Sequence, residues 1–574
     1  MEKLKQRGGT TGGEIAAGIC MGLLSVCGIF MNLQLLAQYQ TSGPAATASA
    51  AEMAANGEIF ARMYFVSMLV SFAGSLLIGL VAHLPLVQVS SLGLSTVLVS
   101  LMGIGTGLSY YNLLLVCLVS SVIYAVILAI PGGYGLLVEA LPAGVRKALP
   151  AAAGLLLAWV AAQLSGVFPA KASAIPVYGA GSVLEASESN VALAGFVSFD
   201  NYSYLTDKYH PTMLLCAVAV LAAIVIYLLR RRASRPCLTA LLGGTVVFLV
   251  GSVLLTCVNW KNMTMSFDSM WARLWMVGSE DSMQLHLANV LKNLSIGAVL
   301  TQGTDFTAYT EAGGSVIKLF ATGILTNLLL NLYDADTTLT AVAAECGAAD
   351  MDHREPLLCN AVLNVVAPIV GAGPVAIGKQ SIAGTRDHAR SGLASVVAAI
   401  VMLISAFVWV VPFLLATVTS YGVTFNMYGH YGTVLQYLTE CSFSVADIVM
   451  VLVGLGMAVH SAGLDWADLN QSVPFLATIG AALLTSNLAV GAAAGVVAFV
   501  LVSLSKAPVV YDIDLDNGDE DEEETEEAAE KSEDADEEED VVLTEKEPGV
   551  LEKVCGKTLI LAAICLVLLV LTAL

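Results

Sequence analysis

Residues 370–390 read VGAGPVAIGKQSIAGTRDHAR, and residues 84–100 read LPLVQVSSLGLSTVLVS. Each is an apolar stretch of the kind that enters a bilayer, and each is interrupted. The first carries Gly371, Gly373, Pro374 and Gly378 ahead of a short helical run, and the second carries Ser90-Ser91-Leu92-Gly93 near its middle. A break at membrane depth frees backbone N–H and C=O groups that lipid cannot satisfy, so the break must face protein or a polar ligand. Gly93 alone is as well explained by close helix packing. Two breaks at corresponding positions instead point to an inverted repeat with a binding site between them.

Working outward, apolar runs place fourteen spans near 14–38, 62–82, 86–104, 111–131, 143–167, 211–229, 236–257, 315–340, 357–372, 374–388, 391–418, 445–463, 472–486 and 488–505. The two broken stretches are the third of the first seven and the third of the second seven. Hydrophobic residues make up 57% of the chain and charged residues 13%. That composition excludes a soluble protein of 574 residues, and continuous apolar runs exclude the alternation of a lipid-facing barrel. The expectation is an all-α polytopic membrane protein with a 7+7 inverted repeat, integral to a plasma (bacterial inner) membrane.

The net charge of −22 is concentrated in one place: residues 512–540 hold nineteen acids and one lysine, which leaves the rest of the chain near −4. A tract so charged and so poor in aromatics reads as a disordered linker, and nothing basic suggests a nucleic-acid partner. Lys and Arg set the orientation. Lys3, Lys5, Arg7, Arg146, Lys147, the RRRASR cluster at 230–235, Arg354, Arg386 and Arg390 all fall on one side if the N-terminus is cytoplasmic. The acidic linker then lies inside, and the segments 168–210 and 258–300 lie outside. WARLWM (271–276) and MQLHLANVLKNL (283–294) read as interfacial amphipathic helices. The last apolar run, 557–574, is a fifteenth span, an anchor or a packing helix.

Eleven cysteines show no CxxC, seven histidines show no metal spacing, and GGTTGG at 8–13 lacks the lysine of a phosphate loop. No enzyme motif, metal site or cofactor is expected. His388, beside Asp387, reads as a surface residue. Ionisable residues within spans are costly and mark sites or structural pairs. Asp334 and Asp336 in NLLLNLYDADTTLTAVA (327–343) and Lys379 in the broken tenth span stand out, while Lys318 reads as a snorkelling side chain. Asp334 and Lys379 either bind substrate or protons, or pair with each other.

Five segments in order carry a resemblance: GEIAAG (13–18) with Asn32, LPLVQVSSLGLS (84–95), LYDADTTLTAVA (332–343), GPVAIGKQSIAGTRDHARSGL (373–393) and DWADLNQSVPFLATI (465–479). Together they resemble the nucleobase–cation symporter-2 superfamily, in particular its AzgA-like adenine/guanine/hypoxanthine permease branch. The resemblance implies a core domain from 1–131 (spans 1–4) and 315–418 (spans 8–11). It implies a gate domain from 143–257 (spans 5–7) and 445–505 (spans 12–14). Residues 258–310 form an outer linker, 506–556 the acidic linker and 557–574 the extra helix. It implies substrate held between the third and tenth spans and uptake coupled to protons. Asp334 takes the position of the eighth-span acid, with Thr338 one turn on, and Gln380 stands where the family has Glu.

The family's third-span Pro-Gly is here Ser90-Ser91 and its Asn is Ser95, while its tenth-span Thr-Thr-Tyr is Ala376-Ile377-Gly378. The candidate substrate-binding residues are therefore Asp334, Gln380, Thr338, Lys379, Ser91, Gly93, Ser95, Ile377 and Gly378, with Asp334 and Asp336 as proton-coupling candidates. The first expectation is purine-like nucleobase transport by alternating access. An anion or small organic acid, bound through Lys379, is the rival substrate, and a transport-inactive scaffold or sensor is a third reading. The resemblance also implies a homodimer.

Overall fold

The computed structural model describes residues 9–37, 50–91, 93–95, 108–164, 211–232, 235–258, 291, 294–349, 351–408, 434–459, 464–504 and 556–573. The segment 168–210, most of 258–300 with the first amphipathic stretch and all but residues 291 and 294 of the second, and the acidic linker lie outside the described residues.

Seven elements form the first half: α1 (Thr11–Ala37), α2 (Ala50–Ala82), β1 (Gln88–Ser90), α3 (Tyr110–Ala129), α4 (Ala143–Leu164), α5 (Pro211–Arg230) and α6 (Pro236–Val258). Two short helices, α7 (Ala298–Thr301) and α8 (Thr307–Glu311), precede the second half. That half repeats the order: α9 (Val316–Glu345), α10 (Arg354–Ile369), β2 (Val375–Ile377) continuing into α11 (Gln380–Arg386), α12 (Gly392–Val408), α13 (Val434–Val459), α14 (Leu469–Thr485) and α15 (Leu488–Leu504). A last helix, α16 (Gly556–Ala573), follows. By length and composition five described helices can cross a membrane, and seven shorter apolar ones accompany them. The fold is the 7+7 inverted repeat.

Both broken spans become strand rather than helix where sequence predicts a break. β1 and β2 pair antiparallel, with Gln88 opposite Ile377, Val89 opposite Ala376 and Ser90 opposite Val375. The pairing extends at both ends: Gly378 N–H reaches Val87 O at 2.8 Å, and Ser91 N–H reaches Pro374 O at 2.9 Å. Outer edges of so short a ladder need partners in a dry interior. Ser75 of α2 supplies them for β1, taking the Gln88 N–H at 2.9 Å and donating to the Gln88 carbonyl at 3.1 Å. Asn364 of α10 does the same for β2, accepting from Val375 N at 2.9 Å and donating to the Val375 carbonyl. The second element of each half thus cradles the strand of its own half.

The helices pack in two groups. The first comprises α1, α2, α3, α9, α10 and α12 around the strands, and the second comprises α4, α5, α6, α13, α14 and α15. Close crossings need small residues. A Cβ on Gly154 of α4 would lie 2.5 Å from the Gly454 carbonyl of α13, so glycine is required at that crossing. Ser109 and Asn112 form a capping box at the start of α3, and the Asn112 amide also donates to Gly303 O and Asp305 O at 2.9 Å. One polar side chain therefore caps a helix and fixes the lead-in to the second half.

Candidate binding pocket

A cavity of about 160 Å³ lies between the two groups, at the strand–helix junctions. An apolar cavity of roughly 150 Å³ admits a benzene ring, so this space suits one small planar ring system. Leu24, Cys27 and Gly28 of α1, the Val89–Ser91 turn, Gly93, Leu94 and the Ala376–Gln380 turn line one side. Residues of α4 and α13 line the other, among them Leu157, Val160 and Met450.

Asp334 and Lys379 meet here: Lys379 Nζ donates to Asp334 Oδ1, forming an ion pair whose side chains are 18% (Lys379) and 13% (Asp334) exposed. Of the two readings open at the sequence level, a direct Asp–Lys pair describes the contact, joining the unbroken helix α9 to the broken tenth span, and both partners also line the cavity. Glycines on two sides leave room for the Gln380 side chain. A Cβ on Gly28 would lie 2.9 Å from Gln380 Nε2, and one on Gly378 would lie 2.5 Å from Gln380 Oε1. A Cβ on Gly93 would meet no atom within 4 Å, which leaves space at that wall.

Seven of the nine sequence candidates (Asp334, Gln380, Lys379, Ser91, Gly93, Ile377 and Gly378) line the cavity. Thr338 does not: its hydroxyl donates to the Asp334 carbonyl at 2.9 Å, one turn back along α9. Ser95 is fully buried but lies away from the lining, its Oγ without a partner. Asp336 points elsewhere, because residues two apart on a helix face different sides. It accepts from Tyr134 at 3.0 Å and faces His353 Nδ1 at 2.9 Å, outside the cavity. Lys318 is exposed near the start of α9.

Two carboxylates carry roles that the sequence reading does not foresee. Asp447 of α13 lines the cavity, 8% exposed, and its Oδ2 has no hydrogen-bond partner. It sits at the edge of an apolar run, the signal that could have found it. Asp387 is buried while its neighbour His388 is exposed, so the surface reading holds for the histidine alone. Asp387 accepts the Cys237 and Leu238 N–H groups at 2.8 Å each, capping α6 across the boundary between the groups. Next to it, Arg386 Nη1 donates to Tyr227 Oη at 2.9 Å and to Leu452 O at 3.1 Å. Among the described residues no cluster of metal-ligating side chains occurs.

Paired broken spans meeting in a strand ladder, with a small cavity at their junction, define an integral membrane protein of the inverted-repeat transporter class. Among relatives, the guanine/hypoxanthine permease GhxP of Escherichia coli O157:H7 is 22% identical over 280 residues, 47% of this chain and 53% of that protein. The guanine/hypoxanthine permease PbuO of Bacillus subtilis (strain 168) is 22% identical over 232 residues, 39% of this chain and 46% of that protein. The chain is thus similar to nucleobase permeases as a divergent relative, and the matches span about half the length of these curated relatives. The solved structure of SLC26A9 aligns with a TM-score of 0.46 and 12% identity, covering 86% of this chain and 65% of that one. No family model matches.

Proposed function

We propose that the protein is a secondary active transporter of a purine-like nucleobase, working by alternating access. The observation that carries this reading is the Lys379–Asp334 pair. It neutralises the cation that would otherwise recruit an anion, and leaves a ring-sized cavity with the Gln380 amide as a neutral donor and acceptor. An amide that offers both roles suits the edge of a base, which presents both roles in return. The α1–α3 and α9–α12 group acts as the mobile core and the α4–α6 and α13–α15 group as the gate, in an inner membrane with the N-terminus and acidic linker in the cytoplasm.

The test is a thermal-shift screen of the purified 574-residue chain against guanine, hypoxanthine, adenine, xanthine, uracil and small anions. A ligand at one hundred times its Kd stabilises by about 2.7 kcal/mol. Stabilisation by a base, and loss of uptake of that base in Asp334→Asn, supports the reading. Stabilisation by anions alone, abolished in Lys379→Gln, replaces it with anion transport through a pair that opens on binding. Silence across both panels together with absent uptake rejects it.

A further inference from the structure

The nucleobase reading leaves one group in the cavity unused. Asp447 projects from α13, on the wall opposite the broken spans, and it is more than nine-tenths buried. Among the described residues it has no ion pair and its Oδ2 has no hydrogen bond. The lysine that lines the same cavity, Lys379, is engaged by Asp334. An ionised carboxylate without a cation or donors is among the costliest groups to bury, and such a group is relieved by taking up a proton.

The other titratable groups on the elements around α13 leave this situation unchanged. Cys27 of α1 lines the same cavity as a neutral thiol. Arg386 of α11 and Tyr227 of α5 meet each other, and Arg386 meets α13 at the Leu452 carbonyl, more than a turn away from Asp447. On α4, Arg146 donates to the Glu139 carbonyl and Lys147 to Gln471. Cys237 of α6 lies beside Asp387 at that helix's first turn. None brings a positive charge to Asp447.

We propose that Asp447 is the proton-binding group of the pocket: a carboxylate on the second packing group that is protonated when the cavity closes and deprotonated when it opens to water. This rests on the nucleobase reading only for the identity of the ligand. One proton adds to the Asp447 carboxylate to give a neutral acid, and the same proton leaves when the pocket opens. A neutral ligand carried with it moves one positive charge per cycle. In the protonated state the acid O–H is a donor aimed into the cavity. A base such as guanine offers acceptors at O6 and N7, so ligand and proton favour each other's binding. The Asp334 charge stays balanced by Lys379, which divides the work: one carboxylate holds the site together, the other titrates.

The experiment has two arms. In the first, infrared difference spectra between acidic and alkaline pH are recorded without ligand for reconstituted wild-type protein, Asp447→Asn and Asp334→Asn. The C=O stretch of a protonated, buried carboxylic acid is expected in the wild type and in Asp334→Asn, and its loss in Asp447→Asn supports the proposal. Identical spectra for wild type and Asp447→Asn overturn it. Asp447→Leu, which keeps the branched shape and removes the titrating group, serves if the asparagine variant misfolds. In the second arm, guanine affinity is measured against pH. Wild-type affinity is expected to fall about tenfold per pH unit once the acid deprotonates, and the Asp447→Asn profile to be flat. Parallel pH profiles overturn the coupling. If none of guanine, hypoxanthine, adenine, xanthine and uracil binds either protein at any pH, the nucleobase reading falls, and the infrared arm still decides whether Asp447 holds the proton.

Discussion

The ammonium of Lys379 meets the carboxylate of Asp334, bridging the turn ahead of α11 to the middle of α9. The pair stands at the cavity with limited access to water, so the solvent screening that weakens surface pairs is only partly present. Removing one partner strands the other. Asp334→Asn and Lys379→Gln are each expected to lower stability by about 1–3 kcal/mol, and the double variant to recover most of that loss. Unfolding midpoints of the four proteins in detergent provide the cycle, and strictly additive losses would show that the two charges act independently.

Asn364 holds both backbone groups of Val375 with one amide. Asn364→Leu keeps the branched shape but leaves the buried Val375 N–H without a partner and its C=O with only the long Asn331 contact at 3.5 Å. A loss of about 2–4 kcal/mol is expected. Thermal unfolding measures it, and an unchanged midpoint would mean that water or a shifted Asn331 takes over the role.

Asp387 and Arg386 reach from the short helix α11 to α5, α6 and α13. Any movement of the broken spans against the second packing group must release these contacts. Asp387→Asn removes the charge that complements the α6 N-terminus, a change expected to cost about 1–2 kcal/mol. Cys237, fully buried beside it, reports on the release. In a background where it is the sole cysteine, its labelling by a small maleimide is expected to quicken in Asp387→Asn. An unaltered rate would show that the cap does not hold this boundary closed.

The last helix, α16, packs on α15 and α9 and on the π-helical turn Gly135–Glu139, with Thr558 donating to Ala140 O at 3.0 Å. Leu561, Cys565 and Leu568 are fully buried in that contact. Leu561→Ala and Leu568→Ala are each expected to destabilise by about 2 kcal/mol through the cavities they leave. The comparison is thermal unfolding of the full chain; variants as stable as wild type would show α16 to be a passenger.

The fold was legible because its signals are local. Apolar runs announce spans, and glycines and serines at matched positions announce the two breaks. The ladder between Val89 and Ala376 was not legible, since three-residue strands carry no periodicity and pair across half the chain. Lys379 and Asp334 could be singled out as charges in apolar company, yet sequence left open whether they meet each other or a ligand. Asp336 shared the proton-coupling candidacy with Asp334, and helix geometry separates them, sending it to Tyr134 and His353. Asp447 escaped notice because an acid near the start of an apolar run resembles an ordinary helix-end residue. Its exposure to the cavity depends on how α13 crosses α4, a fact set by Gly154 and Gly454. Asp387 reads only as the neighbour of a surface histidine at the end of the tenth span, and the approach of α6, whose first N–H groups it accepts, is not visible in sequence.

The β1–β2 ladder also bears on how the protein is made. Val87, Val89 and Ser91 leave the ribosome long before their partners Gly378, Ala376 and Pro374 exist, and a bilayer offers their peptide groups no substitutes. The nascent first half therefore cannot settle into its final arrangement on its own. It must be sheltered by the insertion machinery or hold that segment outside the lipid until the second half arrives, so assembly of this membrane protein is completed late and all at once.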